Sequence, residues 1–121
     1  MRVLLDEMVS KKLASQLSEY EVTTVQRQGW AGLTNGHLLD AIDTLFDVFI
    51  TMDKGIRHQQ RLAGRAFGVV EVRARSNDID DILPLVPQIL DTMRAIKPSD
   101  IVTIGVLEAQ EDIAPNSTDV V

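Results

Sequence analysis

Asp47-Val48-Phe49-Ile50-Thr51 is the stretch on which the fold turns. Leu45-Phe46 lead into it and Met52-Asp53 follow it. A strand with one wet face alternates apolar and polar residues, whereas a short unbroken apolar run is what a strand buried on both faces requires, as in a parallel sheet covered by helices. Similar β-branched or apolar runs recur at about residues 2–5, 21–25, 67–72 and 100–106, with helix-like stretches between them. The pattern is therefore an alternating βαβ series. It predicts an α/β fold of three layers, with a mainly parallel sheet of four or five strands and helices on both faces. The right-handed crossover rule predicts that each βαβ unit stacks the same way.

Working outward, Val9, Leu13 and Leu17 place an apolar stripe on a helix over about 9–19, with Lys11, Lys12 and Glu19 on its wet side. Asn35 is a good N-cap for a second helix, whose buried face is Leu38, Leu39, Ile42, Leu45 and Phe46. A short third helix is expected over about 55–63. From Ile79 to Ile96 the apolar residues keep helical spacing, but Pro84 and Pro87 each remove a backbone donor. Two pieces are expected there, a turn near 78–83 and then a helix to about 96. One domain is expected over 1–106, followed by an acidic tail over 107–121 that contains Pro115 and lacks periodicity.

The composition is that of an ordinary globular domain, with 45% hydrophobic and 25% charged residues in 121. No cysteine is present, so disulfides and thiolate zinc sites are excluded. Val3-Leu4-Leu5 is too brief for a signal peptide or a membrane span, and a cytoplasmic location without membrane contact is expected. On that expectation the sequon Asn116-Ser117-Thr118 is a chance match. A formal net charge of −6 argues against an extended basic surface for nucleic acid. It leaves room for a metal-dependent nuclease, in which carboxylates lower the charge and substrate needs only a local basic strip.

Ligands of open α/β sheets bind beyond the carboxyl ends of the strands. Asp6-Glu7 end the first strand and Asp53 ends the third. If those strands are neighbours, three carboxylates share one crevice, and Mg²⁺ or Mn²⁺ is the compensation expected for their repulsion. Asp6, Glu7 and Asp53 would also serve as helix caps, worth about 1 kcal/mol each, and spacing alone does not separate the two roles. Lys54, Arg57, His58, Arg61 and Arg65 follow Asp53 and would offer cations to phosphate, though a solvated face is the commoner reason for such a run. Gln59 and Gln60 are surface or groove residues. Trp30 could stack on a base or, more commonly, pack over the sheet edge. His37 could line the crevice or sit on the helix surface.

The segments Val3-Leu4-Leu5-Asp6-Glu7, Gly29 to Gly36, Phe46 to Asp53, His58 to Gly64 and Val70 to Asn77, in this order and spacing, resemble a family of small bacterial PIN-like proteins described as toxin components of toxin–antitoxin pairs. The resemblance covers about residues 1–105. It implies Mg²⁺- or Mn²⁺-dependent ribonuclease activity, with Asp6 and Asp53 as catalytic metal ligands and Glu7 as a ligand or its neighbour. Lys54, Arg57, His58, Gln59 and Arg61, beside those acids, are the expected substrate contacts. The partners it implies are RNA, a cognate antitoxin protein and a second copy of the chain. Three positions depart from the family pattern: His37 stands where relatives carry an acid, Gly55 where they often carry Asn, and Arg61 likewise. These departures favour the alternative of a catalytically degenerate PIN-like protein that acts through protein binding. A phosphoacceptor receiver domain would also place acids at 6, 7 and 53, but it needs a lysine closing the last strand, and Gly105-Val106-Leu107-Glu108 has none.

Overall fold

The structure, a computed structural model, describes residues 1–58 and 62–105. Five strands form one sheet: β1 (Arg2–Leu5), β2 (Glu21–Thr24), β3 (Val48–Thr51), β4 (Gly68–Val72) and β5 (Ile101–Ile104). All four pairings are parallel, in the order β2-β1-β3-β4-β5. The unbroken apolar runs are explained directly, since every residue of β3 and β4 is buried. The expected tail over 107–121 lies outside the described residues.

The strands' alternation divides the core in two. On one face Val3, Leu5, Val48, Ile50, Val70 and Val72 pack against Leu13 and Leu17 and against Ile82, Ile89 and Met93. On the other, Leu4, Phe49 and Val69 meet Leu39, Ile42, Ile56 and Leu62. The connections are α1 (Asn35–Leu45), α2 (Ile79–Ile82) and α3 (Val86–Ala95), together with 3₁₀ segments at Lys11–Leu17, Ile56–His58 and Leu83–Leu85.

Local chemistry accounts for the differences from expectation. The first helical segment is 3₁₀ and shorter than 9–19. Ser10 Oγ accepts from Lys12 N at its start, and Ser15 Oγ donates to the Lys12 carbonyl; such local bonds compete with an α-helical ladder. Thr34, not Asn35, is the cap residue of α1. The described part of the third helix is a single 3₁₀ turn. Pro84 falls in a 3₁₀ turn and Pro87 in the first turn of α3, positions where a missing donor costs nothing.

The crossovers do not all share one hand. The chain passes from β1 to β2 on the Leu13–Leu17 face, and from β2 to β3 and β3 to β4 on the α1 face. From β4 to β5 it moves across the sheet in the same direction as from β3 to β4, yet α2 and α3 lie on the opposite face. The last connection therefore has the opposite hand to the other three, against the general rule. In consequence the connections leaving β1, β3 and β4 at the carboxyl end of the sheet alternate between its two faces.

Candidate functional site

The first candidate position is where β1 and β3 end side by side. Leu5 is in register with Ile50, and Asp6 N extends the ladder by donating to the Ile50 carbonyl at 2.9 Å. Asp6 therefore stands beside Thr51, and Thr51 Oγ1 donates to Asp6 Oδ2 at 2.6 Å. The same hydroxyl accepts from Asp53 N at 3.0 Å, so the Asp6 carboxylate and the Asp53 backbone are two hydrogen bonds apart. Asp6 Oδ1 accepts from Glu7 N at 2.8 Å, and Asp53 Oδ1 accepts from Gly55 N at 2.9 Å. Burial holds the Asp6 carboxyl above its usual range. The Thr51 and Glu7 N hydrogen bonds oppose that rise, while the charges of Glu7 and Asp53 add to it.

The expected Mg²⁺ or Mn²⁺ site at Asp6, Glu7 and Asp53 is corrected by this geometry. Among the described residues no group of three or more His, Cys, Asp or Glu side chains is placed to hold a metal ion. Glu7 is exposed, and the oxygens of Asp6 together with one of Asp53 are occupied by a hydroxyl and by backbone amides. Donors within the chain relieve the like charges, by hydrogen bonding and by a proton held more tightly on Asp6.

On the other side of β3, β4 carries a carboxylate that the sequence reading did not single out. Glu71 is fully buried, opposite Thr51 on one side and Thr103 on the other. Its Oε1 accepts from Thr103 Oγ1 at 3.0 Å and from Arg57 Nε at 3.4 Å, and its Oε2 accepts from Arg73 Nε at 3.1 Å. Arg57 also donates to Thr103 Oγ1. Asp6, Thr51, Glu71 and Thr103 thus make one polar row across four strands, on the α1 side of the sheet. The available signal was a carboxylate inside the apolar run Gly68-Val69-Val70-Glu71-Val72, since a buried charge must be paired.

Of the expected phosphate contacts, Arg57 is committed to Glu71 although its side chain remains 42% exposed, and Arg65 is paired with Asp40 and Asp43. Lys54 and His58 are exposed, whereas Gln59 and Arg61 lie outside the described residues. His37 is exposed on the first turn of α1, with Nδ1 3.1 Å from Thr34 Oγ1, so it closes the helix start. Trp30 packs edge-on against Phe46, with ring centroids 5.8 Å apart. No family model, curated protein or solved structure matches the chain significantly. Among the described residues no helix is long and apolar enough to cross a membrane.

Proposed function

We propose that the chain is a PIN-like protein that works by binding a partner protein, without hydrolysing RNA through a bound cation. The observation that supports this reading is the use of the acids. Asp6 and Asp53 brace the ends of β1 and β3 through Thr51 and backbone amides, and Arg57 from the expected phosphate strip neutralises Glu71. A toxin–antitoxin pair is one setting in which such a protein would have a dedicated partner.

A second reading rests on Asp6 alone. A partly buried carboxyl held above its usual pKa is suited to donate or accept a proton during phosphodiester cleavage without a metal. One experiment separates the two. Purified protein is incubated with single-stranded and structured RNAs in chelator, beside Asp6→Asn, and the complex that the chain forms in its own cells is rebuilt from purified components. We expect intact RNA with both proteins and a stoichiometric complex. Cleavage that persists in chelator and disappears in Asp6→Asn would overturn the binding reading in favour of the second.

A further inference from the structure

Parallel strands direct successive backbone groups to alternate sides, and among the described residues β2 has a neighbour on one side only. Glu21 N donates to the Met1 carbonyl at 3.2 Å and Val25 N to the Leu5 carbonyl at 2.9 Å. The period of two therefore turns Thr23 inward as well and leaves Val22 and Thr24 facing out. Val22 presents both its N–H and its carbonyl at the edge. Thr24 presents its N–H, while its carbonyl turns back to accept from Gln28 N. Edges are commonly guarded by Pro, Lys or a bulge. In β2 the sequence Val22-Thr23-Thr24 carries neither Pro nor Lys and is wholly β-branched, the composition best suited to accept another strand.

A groove of about 490 Å³ runs beside this edge, lined by Lys11, Ala14, Val22, Thr24, Gln26 and Arg27 among others. Among the described residues two cations and no acid line it, in a chain of net charge −6. The opposite edge differs. The hollow along β5 is about 270 Å³, and the one charged residue of its described lining is Asp91. Cations beside β2 would attract an acidic segment, whereas the lining beside β5 offers it none, its Asp91 being paired with Arg94.

We propose that the outer edge of β2 receives an extended acidic segment of a partner protein as a sixth strand, its backbone paired with Val22 and Thr24 and its carboxylates facing Lys11 and Arg27. The inference rests on the protein-binding reading and gives it a place and a chemistry. Strand addition divides the work: main-chain bonds supply affinity, and pockets for alternate side chains supply selection.

The test is an amide-resolved NMR titration of the full chain with two octapeptides, one alternating valine with glutamate and the other valine with lysine. The acidic peptide should shift the Val22–Thr24 amides, and the basic peptide should not. In the double variant Lys11→Glu, Arg27→Glu, checked for an unchanged melting curve, affinity for the acidic peptide should fall at least about fivefold. Absence of shifts at β2 with millimolar acidic peptide, or an equal response to the basic one, would overturn the proposal. Shifts at β5 instead would overturn the site while leaving the protein-binding reading standing. Metal-free RNA cleavage through Asp6 would remove that reading whatever the peptides do.

Discussion

Thr51 joins the ends of β1 and β3: its hydroxyl donates to Asp6 at 2.6 Å and accepts from the Asp53 amide at 3.0 Å, and it is itself fully buried. Thr51→Val keeps the shape but removes both bonds. We expect a loss of about 1–3 kcal/mol in urea denaturation, the cost of leaving buried polar groups unsatisfied. The Asp6 pKa should rise further, because a hydrogen bond that lowers it is gone. A Thr51→Val protein as stable as wild type would show that water replaces the hydroxyl.

Asp6 makes stability depend on pH in an unusual direction for a carboxylate. Its folded pKa lies above the ordinary 3.8, chiefly through burial, so the folded state keeps the proton to higher pH than the unfolded state. This contribution is complete below 3.8 and is lost as pH rises through the folded value. The melting temperature of wild type minus that of Asp6→Asn should therefore fall as pH rises through that window. A difference that stays flat from about pH 3 to about pH 7 would contradict the assignment.

Divalent cations should leave the protein unmoved. A ligand present at a hundred times its dissociation constant adds about 2.7 kcal/mol, which any melting experiment resolves. With millimolar Mn²⁺, with Mg²⁺ and with chelator we expect superimposable curves. A rise with Mn²⁺ that vanishes in Asp53→Asn would restore the metal site.

The guanidiniums of Arg57 and Arg73 approach different oxygens of Glu71, and their side chains are 42% and 32% exposed. Each alone can be lost at modest cost, about 1 kcal/mol for Arg57→Met or Arg73→Met, because the other still faces the buried charge. Losing both strands a carboxylate that, among the described side chains, Thr103 alone then serves. The double variant should cost more than the sum of the singles, as a denaturation cycle would measure. Strict additivity would mean that the two arginines act independently.

Gly105 closes β5 with φ +82°, and a Cβ there would stand 2.4 Å from the Arg73 carbonyl oxygen. Gly29 has a similar φ of +77° with open space around it. Gly29→Ala should cost about 1–2 kcal/mol for the left-handed backbone alone, and Gly105→Ala distinctly more, since backbone must also move. Thermal melts of the two variants check the order.

The five strands were legible because apolar runs such as Val48-Phe49-Ile50 admit one reading once helical segments separate them. Asp6 and Asp53 were placed correctly at neighbouring strand ends for the same reason. The role of those acids was not legible. Whether a strand-end carboxylate faces a cation or a hydroxyl depends on Thr51, and nothing in the spacing marks that residue. Glu71 was overlooked because its partners, Arg57, Arg73 and Thr103, come from three separate segments. The changed hand of the last crossover was equally hidden, since periodicity reports that a helix has a buried side but not which face of the sheet it covers.

Among the described residues the sheet contains no hairpin, and β1 lies one strand in from its edge. Val3 pairs with Val22 on one side and Val48 on the other, so the second partner of β1 is 45 residues further along the chain. At ribosomal speeds of about 5–20 residues per second, Val3-Leu4-Leu5 waits about 2–9 s for that partner to be made. During synthesis the buried residues of β1 thus stand with one edge unpaired, and chaperone dependence should track the translation rate between Val3 and Val48 more closely than the stability of the native state.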